Sequence, residues 1–282
     1  MQLAFYDLHL VMVGRKSKSM SLPMIDAHCH WSDARVFAQA PAEIARLLRS
    51  GLGGFQLGGV DPEEWQRQED LHLRFPNHVW RAFGLHPYFV AGQSRAVLTE
   101  AWSKFEKWAP RSEMLGEMGL DFRKNYLAAG KDVQLEFFRR QLELARTLHK
   151  PVVLHIVRAH EEALAELRGF APLRGMVHAF TANWKIARRY LDLGLSLSVG
   201  SRLLFAEAAD LADSVRQAPL ERLLIESDCP DQAPPGQSSH DSSTVWKIAE
   251  RMAELKRLSL DEVVAQTRKN ILSLIAKETL AC

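Results

Sequence analysis

Apolar and polar positions alternate in blocks along the chain. From Met24 onward, eight short runs rich in β-branched and apolar residues recur. They are IDAHCH (25–30), GFQLGGV (54–60), VWRAFGLHP (79–87), MLGEMGLD (114–121), PVVLHIV (151–157), GMVHAF (175–180), LSLSVG (195–200) and LLIESD (223–228). Each is followed by a stretch with helical spacing. The clearest covers 132–149, where Leu135, Phe138, Leu142 and Ala145 recur every three or four residues. Glu136, Arg139, Arg140 and Glu143 supply its polar face. Pro41, Pro62 and Pro110 fall near element boundaries. Strands alternating with helices predict a parallel sheet. Eight repeats predict closure into an α/β fold of the (β/α)8 TIM-barrel type over residues 24–282. An open doubly wound sheet is the alternative, which periodicity alone does not exclude. The stretch 231–243, DQAPPGQSSHDSS, follows the last run, where a barrel places an active-site loop.

Composition narrows the classes. The 282 residues are 47% hydrophobic and 25% charged, a globular balance that excludes disordered and collagenous chains. The length suits one barrel of about 250 residues. Net charge is only +2, so no broad basic surface is expected and any nucleic-acid footprint is small. Cys29, Cys229 and Cys282 are too few and too scattered for a disulfide framework, which points to a reducing, cytoplasmic setting. No apolar run approaches the length of about 20 residues that spans a bilayer, so no membrane partner is expected. In residues 1–20 the apolar part precedes the basic GRKSK, the reverse of a signal peptide. This segment reads as a poorly ordered extension, or as the product of an upstream start codon with initiation at Met20 or Met24. The glycine-rich GLGGFQLGG (51–59) lacks the Lys-Ser/Thr of a P-loop and reads as a helix stop and a close-packed strand. No Gly-X-Ser-X-Gly elbow occurs.

Histidine carries the chemistry. Five of the eleven histidines, His28, His30, His86, His155 and His178, stand at the C-terminal ends of predicted strands, which converge on one mouth in a barrel. Glu117 and Asp228 bring carboxylates to the same rim. His28 and His30 lie two apart on one strand and share a face, while Cys29 points away. Asp26, given the same parity, either orients a ligand or is a buried acid with a structural partner. Cys29 and Cys229 read as small packing residues. Several imidazoles with carboxylates suit Zn²⁺ or a similar divalent ion such as Mg²⁺ or Mn²⁺. Four histidines and two carboxylates exceed the needs of one tetrahedral site, so two ions sharing a carboxylate account for them better. Glu117, with two oxygens to offer, is the natural bridge.

In their order and spacing these motifs resemble the TatD family of metal-dependent deoxyribonucleases, within the amidohydrolase-like barrels. The resemblance runs from about Met24 to the C-terminus. It rests on DAHCHW (26–31), FGLHP (83–87), GEMGLDF (116–122), LHIVRAHE (154–161), VHAF (177–180) and LLIESDCP (223–230). Gln134, Phe137, Gln141 and Ala145 before Pro151, and the near-terminal Asn270 and Leu272, agree with it. The resemblance implies that His28, His30 and Asp228 hold one metal, that His155 and His178 hold a second, and that Glu117 bridges them. It implies that His86 positions substrate phosphate and that Asp228 takes a proton from the attacking water. The implied activity is hydrolysis of phosphodiester bonds by metal-activated water. It would be a 3′-5′ exonuclease acting on DNA, single strands or 3′ ends, with a monomer as the default oligomeric state. Three departures bear on substrate contacts. Val157 stands where the family usually has Arg, with Arg158 beside it; 231–243 replaces a loop carrying an Asn-Glu-Pro box; and Glu226-Ser227 replaces Glu-Thr. Hydrolysis of another ester, amide or phosphotriester bond is the rival activity, because one scaffold supports all of these. A non-catalytic metal-binding scaffold is the second rival.

Overall fold

The computed structural model describes residues 22–276. The expected extension at 1–20 lies outside the described residues, as do 277–282. Nine strands form: β1 (Met24–Cys29), β2 (Leu52–Leu57), β3 (Val79–Trp80), β4 (Ala82–Phe83), β5 (Met114–Asp121), β6 (Val152–Val157), β7 (Gly175–Val177), β8 (Ser196–Val199) and β9 (Leu223–Ile225). All neighbours run parallel, in the orders β1-β2-β3 and β4-β5-β6-β7-β8-β9. The helices between them are α1 (Ala40–Arg49), α2 (Pro62–Arg74), α3 (Pro87–Gly92), α4 (Arg95–Trp108), α5 (Lys124–Thr147), α6 (His160–Leu167), α7 (Trp184–Asp192) and α8 (Ala209–Gln217); α9 (Thr244–Lys256) and α10 (Leu260–Ile275) close the chain. Among the described residues, no helix is long and apolar enough to cross a membrane.

All eight predicted runs are strands. The third splits into β3 and β4 because the Arg81 N–H donates to the Glu113 carboxylate (2.8 Å) rather than to a strand. Strands β3 and β4, separated by Arg81 alone, join the two ladders through the chain. At the other edge no ladder links β1 and β9. Beyond their ends the Asp228 N–H donates to the His28 carbonyl (3.0 Å) and the His30 N–H to the Cys229 carbonyl (2.7 Å). The strands therefore follow the order of a (β/α)8 barrel, in two ladders whose β1 and β9 ends are linked by loop bonds. The helix predicted over 132–149 begins earlier, at Lys124. Gly130 interrupts it with a φ of 151°, a left-handed backbone that a side chain would resist.

Two apolar layers position the site. The larger lies between sheet and helices, where Trp65, Phe83, Phe105 and Phe138 are fully buried. The smaller fills the barrel floor: Ile25, Ala27, Val153, Met176 and Leu224 meet Ile271, Leu274 and Ile275 of α10. Water is thereby excluded from beneath the mouth. Gly59 permits the close packing above this floor, since a Cβ there would stand 2.1 Å from the Ala82 carbonyl oxygen.

Candidate active site

Strand ends deliver the side chains, and irregularities in the ladders aim them. The β1–β2 register shifts between Asp26 and Cys29, and the β5–β6 register shifts between Leu115 and Met118. Such bulges break simple alternation. On β1, Ile25 and Ala27 face the floor cluster, and His28 faces the same interior. Asp26 is turned away instead. Its carboxylate accepts from the Ser227 N–H (2.9 Å) and Ser227 hydroxyl (2.6 Å), pinning β1 to the turn after β9. Of the two readings of Asp26, the structural partner is the one observed, and its shared parity with His28 is corrected by the bulge. Burial raises its pKa to about 7 against the opposing Ser227 bonds. Cys29 and Cys229 are buried free thiols, as packing residues should be.

All six predicted ligands, with His86, converge at the mouth. The His28 Nε2 lies 3.3 Å from the His30 Nε2 and 3.6 Å from both Glu117 Oε1 and Asp228 Oδ1. The His30 Nε2 lies 3.4 Å from Glu117 Oε1 and 3.2 Å from Asp228 Oδ1. A tetrahedral ion with bonds of about 2.0–2.1 Å needs ligand atoms about 3.3–3.4 Å apart. These five separations, 3.2–3.6 Å, bracket that figure. Glu117 Oε1 and Asp228 Oδ1 are buried with no hydrogen-bond partner, a costly state unless something positive lies between them. A Cβ at Gly58 would enter this space, 2.6–2.8 Å from His28, His30 and Glu117. The donor set therefore fits a divalent ion.

The other Glu117 oxygen faces a second group. Oε2 lies 2.8 Å from the His178 Nε2 and 3.6 Å from the His155 Nδ1, and these two nitrogens are 3.0 Å apart. Two carboxylates without a role in the sequence analysis stand beside these rings, and one of them bonds its ring. Asp121 meets the His155 Nε2 at 3.2 Å, leaving Nδ1 to face inward. Glu226 stands 3.6 Å from the His178 Nδ1 and accepts the Ala179 N–H (2.6 Å). Alternation could have flagged both, since Asp121 shares the parity of Glu117, and Glu226 that of Asp228. The Arg123 guanidinium donates to both oxygens of Asp121.

His86 differs from the other rings. Its Nδ1 accepts the Tyr88 N–H (3.1 Å), so the neutral ring carries its proton on Nε2. That N–H points to the cavity, 3.8 Å from Glu117 Oε2. A nitrogen with a proton cannot ligate a metal but can donate to a phosphate oxygen.

Electrostatics follow from this crowding. Burial alone would raise Glu117, but His178, His28 and His30 hold it well below the usual carboxylate range. Asp228 is also held low against burial, chiefly by the neighbouring His30 imidazole. Burial opposes charge on His30, yet Glu117 and Asp228 push it up to about 10, and His178 is raised by Glu117 in the same way. His86 goes well down, through burial and the neighbouring His155. The cluster thus concentrates anionic oxygens that demand compensating positive charge.

A cavity of about 280 Å³ opens above these groups, lined also by Asp33, Arg35, Tyr88, Arg123, Asp231 and Gln232. The expected active-site loop does reach it. Asp231 pairs with Arg35 through two bonds (2.9 and 2.6 Å), and the Gln232 amide donates to Asp228 Oδ2 (2.5 Å). Arg158 is exposed and absent from the lining, so it does not replace the family's usual Arg.

A parallel α/β barrel with histidines and carboxylates gathered at the C-terminal strand ends defines a metal-dependent hydrolase. The family model of TatD related DNases matches residues 25–276, and the chain belongs to that family. An uncharacterized metal-dependent hydrolase of Bacillus subtilis, YabD, is 28% identical over 251 residues, covering 88% of this chain and 96% of its own. The 3′-5′ ssDNA/RNA exonuclease TatD of Erwinia amylovora is 28% identical over 236 residues, covering 80% of this chain and 90% of its own. The crystal structure of YjjV, a TatD homologue from Escherichia coli, superposes with a TM-score of 0.79 at 26% identity, covering 89% of this chain and 97% of that one.

Proposed function

We propose that the protein is a two-metal phosphodiesterase that acts as a 3′-5′ exonuclease on DNA. The observation that carries this reading is the division of Glu117. One oxygen meets the His28 and His30 nitrogens, which also face Asp228, and the other meets His155 and His178, with His86 at 3.8 Å. His28, His30 and Asp228 would hold the first ion, His155 and His178 the second, with Glu117 shared. When bound, two divalent ions supply charge that polarises a phosphate and acidifies water.

The chain's own groups do the rest. The Asp228 carboxylate is placed to take the proton of the attacking water, while Gln232 steadies its Oδ2. His86 donates its Nε2–H toward a non-bridging phosphate oxygen, and its lowered pKa keeps it a neutral donor. Asp121 and Glu226 hold the second-site rings in register. The relative named an exonuclease supports the phosphodiester bond as target.

The test is incubation with end-labelled single-stranded DNA, with and without Mg²⁺, Mn²⁺ or Zn²⁺. Metal-dependent laddering that shortens from the 3′ end is expected. His86→Ala should raise KM while metal content stays at wild-type level. Asp228→Asn should abolish turnover yet keep part of the metal, because an amide oxygen still coordinates. Absence of cleavage with every metal sinks the nuclease reading.

A further inference from the structure

Among the described residues, large apolar side chains left exposed are Leu22, Leu73, Tyr88, Val97 and Leu258. Tyr88 is the one aromatic among them, at 38% exposure, and it lies on the wall of the active-site cavity. It does not stand alone. The His86 ring centroid is 4.0 Å from that of Tyr88, and Tyr126 lies 5.9 Å from Tyr88 on its other contact, with planes inclined by only 31°. The Arg123 guanidinium sits 5.2 Å over Tyr126. The result is a file of π systems leading from the phosphate-facing imidazole to the rim.

The charges at the same rim are already engaged. Arg35 is held by Asp33 and Asp231, and Arg123 by Asp121. Both guanidiniums are thus paired with carboxylates, with their side chains about half exposed. The cavity, about 280 Å³, lies at the small end for ligand pockets and admits one flexible end rather than a paired helix. An aromatic surface beside neutralised arginines favours a planar, weakly hydrated group over a further phosphate. Every base offers such a face whatever its sequence.

We infer that Tyr88, backed by His86 and Tyr126, is the stacking platform for an unpaired base next to the scissile phosphate. This rests on the phosphodiesterase reading and deepens it. The substrate end must be single-stranded, and recognition there is indifferent to base identity. The platform makes recognition at this end depend on stacking rather than on paired arginines.

The test uses the metal-loaded enzyme and two probes. One is a single-stranded oligonucleotide ending in 2-aminopurine, whose fluorescence is quenched on stacking. The other is the same oligonucleotide with an abasic 3′ end. Tyr88→Ala should raise KM for the normal end about tenfold with a much smaller change in kcat. Tyr88→Phe should restore it, because stacking needs the ring and not the hydroxyl. Wild type should prefer the base-bearing end over the abasic end about tenfold, and Tyr88→Ala should lose that preference. Equal KM values for wild type and Tyr88→Ala, with equal quenching, overturn the platform and leave the nuclease reading standing. Tyr88-dependent quenching without cleavage upholds the platform and sinks the nuclease reading. Neither quenching nor cleavage sinks both.

Discussion

On one side of Glu117, four ligand atoms from β1, β5 and the turn after β9 stand 3.2–3.6 Å apart across the five separations given above, and the His28 side chain is fully buried. On the other side, Glu117 Oε2 meets His178 and His155, with His86 further off at 3.8 Å, and the His155 side chain is 13% exposed. The first half brings two imidazoles against two carboxylates. The second is open toward His86 and the cavity. Closed sites hold an ion and open sites leave room for substrate. On the proposed reading, the difference would make the first half the tighter holder and the second the more exchangeable one. It also explains the two supporting acids. The second half lacks a full set of protein donors, so its rings depend on Asp121 and Glu226 for orientation.

Removing the shared carboxylate breaks the comparison outright. Glu117→Ala is expected to lose both ions and at least about 10²-fold in hydrolysis, since both donor groups lose their register. Metal content and DNA cleavage measured side by side check this. Near-normal hydrolysis would mean that the two halves do not share Glu117.

A subtler change separates the halves. Asp121→Asn should weaken metal binding in the second half by about 10–100-fold and leave the first ion in place. Metal titration should then show one tight and one weakened site, where wild type approaches two per chain. Equal weakening of both would show that the two halves act as a single unit.

The smallest effect lies beside the first half. Glu64 of α2 is buried, accepts the Val60 N–H (3.0 Å), and is pushed by burial from 4.5 to about 7. Its folded pKa exceeds its unfolded one. The stability it contributes is fully present below about 4.5 and lost as pH rises through about 7. Glu64→Gln removes that loss while its amide oxygen can still accept from Val60. The melting temperature of the variant relative to wild type should therefore rise between pH 5 and pH 8, by on the order of a few degrees. A constant difference across that range would show that Glu64 is ionised throughout.

The first half was the more legible in sequence. His28 and His30 advertise themselves two apart on one strand, and Asp228 ends the last run. The bulges that aim His28 and Glu117 were not visible, because alternation is a local rule and a bulge follows from pairing with a neighbouring strand. Asp26 was misplaced for that reason. Asp121 and Glu226 stood inside quoted motifs, yet their roles depend on which rings other strands bring alongside. Tyr88 was unremarkable in sequence. Its meaning comes from exposure at the cavity and from Tyr126, which a separate helix supplies.

By itself, the sequence determined the order of eight strands, the helices between them, and the donor types at the strand ends. Local hydrophobic pattern and residue chemistry suffice for those. Only the tertiary structure decided which atom of each ring faces which carboxylate, which arginines are neutralised, and how one glutamate divides between two donor groups. Those outcomes are set by the arrangement of the strands, which brings residues as distant as His28 and Asp228 within 3.6 Å, and no local rule along the chain specifies such a distance.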